Sequence, residues 1–492
     1  MLKKITDCIF NVFYYKVALM FFLIPTLLVY CVSFNYKLLF VMMGWGALVC
    51  VYDLLVRRNF VKARGMVWLI GFLAVFAVAV VLNYKTGLSL NISSWAYTAI
   101  ALFLLYPDST VKSKDVALKE LSVINNIFIG MTTVFSTVSL GMYVCLYGEI
   151  VEFGDQQYSI GWTHNRLFGV YANTGYMITA IGLAIILIQV AVMKAKDGKL
   201  KKPYKAFLIY TAIVNLFSMC MENAKGAFFS LAAFVAIGAF FVALRKMLKK
   251  GKKEIISGIV ATISAVLAVG LMFGVIYSVR PMLSYVPGLY HAAGGLYYGE
   301  EKPVEGEDPD DPDDPEKDKL EGVEIDRDID ESYGFFTGRT KIWKFGIEQF
   351  LEKPVLGYGP QSHREYWVVD NYLRHFHNLI VQTIVSVGTV GSIFIFGFFL
   401  TVFVFLLKKL FKKAKEGDDK YYVAVALFAF LGMLLVNSMA EVTILFITRF
   451  AMFIFWMFLG YAVALLSDGE KAKGTRVLEN INDKVNNLFH KK

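Results

Sequence analysis

Charged side chains are scarce in this sequence. They make up 18% of the 492 residues, whereas hydrophobic residues make up 57%. A soluble chain carries nearer a quarter charged residues, so the composition excludes a large cytosolic enzyme and a secreted disulfide scaffold. The net charge of +10 does not indicate a nucleic-acid partner, because membrane proteins carry such an excess in their cytoplasmic loops. The composition is that of a multi-spanning membrane protein.

Cysteine and histidine are also rare. The five cysteines lie in or beside apolar runs, which argues against a disulfide framework and a zinc site. Four of the six histidines, His291, His363, His375 and His377, fall within one segment. His375 and His377 are two residues apart, and we find no cysteine or well-placed carboxylate that completes a ligand set. We therefore expect no metal ion and no cofactor.

Long apolar runs are what the sequence has in abundance. A helix needs about 20 apolar residues to cross a bilayer. Twelve runs approach or meet this requirement, at residues 17–34, 38–56, 66–82, 88–106, 123–147, 168–193, 206–221, 227–244, 255–278, 379–407, 421–437 and 442–467. We predict an all-α, polytopic membrane protein with about twelve transmembrane helices.

The positive charges orient these spans. Alternate segments, starting with the N-terminal one, hold 34 of the 50 Lys and Arg residues, and the short loops between them hold five. Basic residues concentrate on the cytoplasmic side of membrane proteins. The pattern predicts a multi-pass protein of the cytoplasmic membrane with both termini in the cytoplasm.

One extracytoplasmic segment is far longer than the others. Residues 1–278 hold the first nine spans, 279–378 form this long loop, 379–467 hold the last three spans, and 468–492 form a cytoplasmic tail. Within the loop, residues 299–331 contain 17 acidic and four basic side chains and repeated prolines. Such a composition cannot bury a core, so we expect a disordered insert.

Residues 337–353 of the long loop read as a short amphipathic helix. Trp343, Ile347, Phe350 and Leu351 share one face of it, with charges opposite. We predict that this helix lies on the membrane surface or against the bundle.

Several cations fall near the outer boundary of the predicted spans. Two interpretations remain open for them. Arg449, about seven residues inside the predicted twelfth span, could pair with Glu441, and Lys225 could pair with Glu222. Alternatively, the cations gather around a membrane-bound anion, since Arg forks and Lys charges suit phosphate oxygens.

At this point the sequence resembles the family of O-antigen ligases and polymerases. No one motif is specific, but their order, spacing and side of the membrane are. The matching segments are GRTKIW (338–343), the turn PVLGYG (354–359), His377-Asn378, Gly388-Thr-Val-Gly391 and RLFGVYANTGY (166–176). The stronger part of the resemblance covers about residues 220–400. The family usually has Ser-Arg-Gly at a middle turn where this chain has Asn223-Ala224-Lys225-Gly226, which keeps the charge but not the bidentate fork.

The resemblance implies a GT-C-like fold and a metal-independent, inverting glycosyltransferase. Its donor would be a polyprenyl-diphosphate-linked oligosaccharide in the membrane lipid, and its acceptor another glycan. It implies a catalytic base at His377, with the role of His375 open, and a diphosphate site at Arg339, Lys225 and Arg166. We expect Asn378, Arg374, Arg449, Gly357 and Gly359 to support them. The first outer loop, residues 35–37, lacks the acidic residue that metal-dependent membrane glycosyltransferases place there.

Three activities compete at this stage. A polymerase would join repeat units, as in capsule, O-antigen or teichuronic acid synthesis, and would work with a chain-length regulator. A ligase would move finished glycan to another acceptor. A transporter or flippase also fits twelve spans, but gives no reason for histidines and arginines in a long outer loop. The Lys-rich, Arg-poor composition is typical of a low-GC genome and of organisms that lack an outer membrane, which favours the polymerase.

Overall fold

The computed structural model describes most of the chain. It covers residues 8–153, 156–171, 175–298, 323, 339–365, 367–368, 371–416, 418, 420–447, 449–467, 478 and 483. The acidic insert predicted over 299–331 lies outside the described residues, apart from residue 323. The predicted tail over 468–492 lies outside them too, apart from residues 478 and 483.

The described part is a bundle of apolar helices. They are α1 (Val12–Leu23), α2 (Val32–Tyr52), α3 (Met66–Leu82), α4 (Leu88–Ile100), α5 (Lys114–Val144), α6 (Gly175–Asp197), α7 (Lys202–Glu222), α8 (Lys225–Lys249), α9 (Glu254–Ser284), α10 (Val286–Ala292), α11 (Arg339–Glu352), α12 (Leu379–Glu416), α13 (Tyr421–Ser438) and α14 (Phe450–Leu466). Helical turns at Asp53–Arg57, Ala101–Leu105 and Tyr106–Thr110 extend α2 and α4. We call the end of the bundle where α9 ends and α12 begins the loop end, and the opposite end the tail end.

These helices confirm the prediction of a mostly helical, polytopic membrane protein. Within the described residues, nine helices are long and apolar enough to cross a membrane. Three shorter apolar helices, α1, α3 and α14, stand at the positions of the other predicted spans. The predicted bounds of the third span, Met66–Leu82, are those of α3.

The first span differs from its prediction over residues 17–34. α1 begins at Val12 and ends at Leu23, just before Pro25 starts a tighter helical turn. Lys16, which we counted as a flanking cation, is therefore inside the helix and fully buried. Its Nζ lies 2.7 Å from Asp108 Oδ2 and 3.3 Å from Glu120 Oε2, so the buried charge is paired.

The twelfth span also differs, because residues 442–447 and 449 are not helical. α14 begins only at Phe450 and has 17 residues, about 26 Å, which is less than the hydrocarbon thickness of about 30 Å. The described chain between α13 and α14, residues 439–447 and 449, instead enters the bundle as an irregular loop, which we call the re-entrant segment. Arg449 thus lies at the N-cap of α14 rather than deep in a span.

Aromatic packing measures how deep the re-entrant segment reaches. The ring of Phe446 lies 5.9 Å from that of Phe72 and 5.5 Å from that of Phe76. These residues precede the loop-end terminus of α3 by about 15 and 9 Å at 1.5 Å per residue. Irregular backbone at such depth needs partners inside the protein. The carbonyl of Phe446 accepts a hydrogen bond from Ser94, and that of Ile444 accepts one from Trp456 at 2.9 Å.

A second break, in α12, explains the glycine-rich turn. Gly388 has φ 61° and ψ −167°, which interrupts the helix. Residues 354–360 fill the gap. The N–H groups of Tyr358 and Gly359 donate to the carbonyls of Val385 and Ser386 at 2.9 and 2.8 Å. In return, the N–H group of Thr389 donates to the Pro354 carbonyl at 2.7 Å. The glycine-rich turn at residues 354–360 and the break in α12 at Gly388 therefore hold each other in place through backbone hydrogen bonds. We call this arrangement the interlock.

Small sheets accompany the helices, and sequence analysis missed them. Strands β1 (Gly148–Phe153), β2 (Gln156–Thr163) and β3 (Arg166–Gly169) form an antiparallel sheet between α5 and α6, in the order β1-β2-β3. Strands β4 (Trp367–Val368) and β5 (Asn371–Tyr372) form a two-residue pair before α12. The last strand of the first sheet, β3, overlaps the start of the predicted sixth span, and α6 begins at Gly175.

Helix α11 lies against the start of α12. Trp343 and Phe350 pack around a small core that includes Phe376, as expected for a helix on the bundle. However, Ile347 and Leu351, which we placed on the same face, are 47% and 68% exposed. The apolar face is wider than the contact, so part of it faces away from the protein. This packing sets Arg339, the first residue of α11, beside the residues that precede α12.

Candidate active site

The side chains of five residues meet at the loop end around one carboxylate, that of Glu441. They are Glu441, His375, His377, Arg339 and Arg449, which we call the Glu441 cluster. The first residue of α11, the segment before α12 and both ends of the re-entrant segment supply them. The Glu441 side chain is only 10% exposed. Two cations and two imidazoles therefore surround one nearly buried anion.

His377 makes the shortest contact in the cluster. Its Nδ1 lies 2.8 Å from Glu441 Oε1. An ionised carboxylate only accepts hydrogen bonds, so Nδ1 carries the proton and Nε2 keeps its lone pair. Residue 377 has φ 50°, a left-handed conformation that non-glycine residues seldom adopt, and its side chain is 29% exposed. The imidazole is thus held in one tautomer with Nε2 available as a base.

His375 is more enclosed than His377. Its ring centroid lies 3.9 Å from that of His377, and its Nδ1 accepts the backbone N–H of His377 at 3.2 Å. Arg449 Nη2 lies 3.1 Å from its Nε2. Burial, with Arg449 beside it, holds the pKa of His375 well below its ordinary value. His375 is a neutral packing partner of His377 in this arrangement.

The two arginines contact the carboxylate from different elements. Arg339 Nη2 lies 3.4 Å from Glu441 Oε1, and Arg449 Nη1 lies 3.3 Å from Oε2. Burial alone raises the pKa of Glu441, but the hydrogen bond from His377 and the charge of Arg449 outweigh it and hold that pKa well below the usual range. Both arginine side chains are more than a quarter exposed, so the cluster is open to solvent on their side.

Asn378 fixes the backbone next to His377. Its Oδ1 accepts the N–H groups of Ile380 and Val381 at 2.9 and 3.2 Å, as an N-cap of α12. Its Nδ2 donates to the carbonyl of Met439 at 3.0 Å. One side chain thus ties the start of α12 to the start of the re-entrant segment. This brings His377 and Glu441 together across 64 residues of sequence.

The cluster corrects our statement that no carboxylate completes a ligand set. Nitrogen atoms of His375 and His377 and an oxygen of Glu441 all lie within 4.8 Å of one another, close enough to hold a metal ion. However, the guanidinium of Arg449 faces two of these ligand atoms, Glu441 Oε2 and His375 Nε2. A divalent cation there would meet two fixed positive charges, those of Arg339 and Arg449.

Two of the predicted diphosphate residues lie elsewhere on the loop end. Arg166 begins β3, with its guanidinium 4.7 Å above the ring of Phe168. Lys225 begins α8 and is exposed. Arg166 acts electrostatically on Glu222, a buried carboxylate that accepts a hydrogen bond from Thr179 at 2.9 Å. Arg166 and Glu222 form a second charged group, and Lys225 follows Glu222 by three residues in the chain.

The remaining predicted residues support the backbone. The side chain of Arg374 is exposed, whereas its carbonyl bonds with His363 Nε2 at 3.0 Å. Gly357 and Gly359 have φ 69° and 84° within the interlock with α12. A Cβ at Gly357 would meet the backbone of Val385. The two glycines therefore permit the close approach of two chains.

Glu441 is the residue whose importance sequence analysis underrated. We considered it only as an ion-pair partner of Arg449, which the structure confirms. Its contacts with His377 and Arg339 were not predicted. The available signal was a lone carboxylate in an apolar run, where an ionisable residue is costly unless it is functional.

Comparison with known proteins adds to this geometry. Residues 210–396 match the family described as O-antigen ligase. This match covers less than half of the chain. The chain is also 27% identical over 121 residues to the exopolysaccharide production protein ExoQ of Rhizobium meliloti (strain 1021). That alignment covers 22% of this chain and 27% of the relative. Residues 210–396 include Arg339, His375 and His377, whereas Glu441 and Arg449 lie beyond them.

Proposed function

We propose that this protein is a membrane glycosyltransferase that builds polysaccharide on the outer face of the cytoplasmic membrane. It transfers an oligosaccharide from a polyprenyl diphosphate to a hydroxyl group of a growing glycan. The observation that carries the proposal is the meeting of His377, Arg339 and Arg449 at the loop end. The site offers one free imidazole nitrogen and two cations, and the family match makes a glycosyl transfer the reaction that uses both.

The roles follow from the chemistry of the transfer. The acceptor oxygen attacks the anomeric carbon of the first donor sugar, and the bond from that carbon to the diphosphate oxygen breaks. The configuration at that carbon inverts. The hydroxyl proton passes to His377 Nε2, an effect typically worth about 10²–10⁴-fold in rate. The leaving diphosphate gains negative charge, and Arg339 and Arg449 stabilise that charge. Arg339 starts α11, where free backbone N–H groups also favour an anion.

The two arginines stabilise the charge of the leaving diphosphate, as a divalent metal does in other transferases. Both already face the carboxylate that would otherwise help to hold a metal ion. Activity should therefore persist in a chelator such as EDTA. Arg166 and Lys225 would contact a more distant part of the donor from the group around Glu222.

The two matches favour different acceptors. The relative's name refers to exopolysaccharide production, which favours a polymerase. The family description favours a ligase that transfers finished glycan to another acceptor. Supplying purified protein with lipid-linked repeat units alone separates them, because a polymerase lengthens these units without a further acceptor.

The experiment uses purified protein in detergent with lipid-linked repeat units, in EDTA and without any gradient. Wild-type protein should lengthen the units, which a transporter would not do. His377→Ala should lower the rate by at least about 10²-fold. His291→Ala, an exposed histidine before the acidic insert, is the matched control and should keep the wild-type rate. A His377→Ala protein that works within a few-fold of wild type would remove the base from the proposal.

A further inference from the structure

The imidazole of His377 and the guanidinium groups of Arg449 and Arg339 share the carboxylate of Glu441. His377 Nδ1 contacts it at 2.8 Å, whereas the contacts from Arg449 and Arg339 are longer, at 3.3 and 3.4 Å. In each of these contacts the arginine uses one nitrogen atom, although a guanidinium carries five N–H donors. Arg449 also contacts His375 Nε2 through a second nitrogen, and among the described residues both guanidinium groups keep donors for a second anion.

The charges of the cluster do not balance. Arg339 and Arg449 contribute two positive charges, and Glu441 contributes one negative charge. With both imidazoles in the neutral form that a base requires, one positive charge is left over in a site where Glu441 is only 10% exposed. Such a site attracts an anion. Glu441 itself competes with that anion for the two guanidinium groups.

We propose that Glu441 is a positioning residue that orients His377 and releases Arg339 to the donor diphosphate when it binds. This inference rests on the proposed function. Before the donor binds, Glu441 holds the arginines and prevents them from turning to solvent. When the diphosphate arrives, Arg339 turns its free N–H groups to the phosphate oxygens, and the charge of Glu441 is left to the short bond with His377. The base and the bound donor thus become coupled through one carboxylate.

The same carboxylate sets the tautomer of His377. Because Glu441 accepts from Nδ1–H, Nε2 is the nitrogen that can take the hydroxyl proton. It also stabilises the imidazolium that forms, as the carboxylate of a catalytic triad does. A neutral amide in place of the carboxylate could accept through oxygen or donate through nitrogen, and it carries no charge. Both functions would then be lost together.

Competition for the arginines and support of the base predict opposite effects of one substitution at Glu441. In Glu441→Gln, the competitor for the arginines is gone, so an isoprenoid diphosphate should bind more tightly, with a Kd at least about threefold lower. The base loses its partner, so kcat should fall by about 10²–10⁴-fold. A residue that merely held the fold would weaken binding and catalysis together. The split between affinity and rate is therefore the diagnostic result.

The binding arm uses farnesyl diphosphate as probe and farnesol, which lacks the anion, as its control. Affinity for farnesol should not change in Glu441→Gln. Glu441→Asp keeps the charge and should keep a wild-type Kd for farnesyl diphosphate, while the shorter side chain lowers kcat. Glu352→Gln is the matched control, because this carboxylate on α11 contacts Tyr358 at 2.7 Å and not the cluster. It should leave both quantities unchanged.

Weaker or equal binding of farnesyl diphosphate by Glu441→Gln would overturn the inference, as would an unchanged kcat. Tighter binding also shows that the variant is folded. The outcome remains distinct from failure of the proposed function. If wild-type protein does not lengthen lipid-linked units, but Glu441→Gln still binds farnesyl diphosphate more tightly, competition for the arginines stands and the reaction is wrong.

Discussion

At the residue scale, Arg339 gives the most direct test of the anion site. Its side chain is 28% exposed and its guanidinium contacts Glu441 through one nitrogen, which leaves other donors for a phosphate. Arg339→Lys keeps the charge without the fork and should lose most activity, and Arg339→Ala should lose about 10²-fold or more in kcat/KM. Lys341→Ala, an exposed cation two residues along α11, should be neutral. Near-normal activity of Arg339→Ala at equal protein level would exclude Arg339 from the site.

The pH dependence of activity should not report on Glu441 or His375. The pKa of Glu441 is held well below its usual range, chiefly by His377 and Arg449 against the effect of burial, so this group stays ionised in mildly acidic solution. Burial and Arg449 lower the pKa of His375, so that ring stays neutral. Neither group should therefore add a protonation step to the rate profile between pH 5 and 8. A loss that requires two protons in rate profiles from pH 5 to 8 would contradict this assignment.

Part of this site could be predicted from sequence, and the reason is local. His377, Asn378 and Arg339 stand in short motifs whose neighbours are contiguous in the chain. Glu441 could not be linked to His377 in the same way. The two residues meet only because Asn378 binds the carbonyl of Met439 and the chain after α13 turns back into the bundle. A contact across 64 residues depends on tertiary packing, which periodicity does not encode.

At the element scale, the interlock between residues 354–360 and the break in α12 should depend on Gly388. A Cβ at this position would overlap the backbone of Val355, and its φ of 61° disfavours other residues. Gly388→Ala should therefore displace the turn and destabilise the protein by about 1–3 kcal/mol or more. Gly270→Ala, in the exposed part of α9, has open space around its Cβ and serves as the control. Thermal unfolding in detergent measures the difference, and equal midpoints would contradict the interlock.

Helix ends were harder to predict than helix positions. Hydropathy located all twelve apolar elements, but it continued the twelfth span through residues 442–449, because these residues are as apolar as a helix. Residues 442–446 are buried as irregular backbone, and side chains of other elements satisfy the carbonyls of Ile444 and Phe446. Hydropathy reports burial in an apolar environment and does not distinguish lipid from protein.

At the scale of the whole molecule, a buried network joins distant parts of the chain at the tail end. Lys16 of α1 contacts Asp108, Glu120 and Tyr461 of α14, and Lys112 also contacts both carboxylates. Lys16→Ala leaves these carboxylates short of a partner and should destabilise the fold by about 3–5 kcal/mol.

The network lies opposite the candidate active site, which separates stability from activity. Lys16→Ala should lower the midpoint of thermal unfolding while the surviving protein keeps its transfer rate at low temperature. Lys119→Ala, an exposed lysine on α5, should change neither. An unchanged midpoint in Lys16→Ala would mean that the remaining pairs with Lys112 suffice.

Every residue of α14 is buried, so this helix stands at the centre of the bundle, although it follows the other eleven apolar elements in the chain. A ribosome therefore releases the surrounding helices into the membrane before the helix around which they close. Until α14 arrives, the aromatic surfaces of its neighbours have no protein partner, and Arg449 is absent from the Glu441 cluster. The Glu441 cluster can therefore form only after α14 has been made, so under the proposed function a nascent chain stays unreactive toward donor lipids until then.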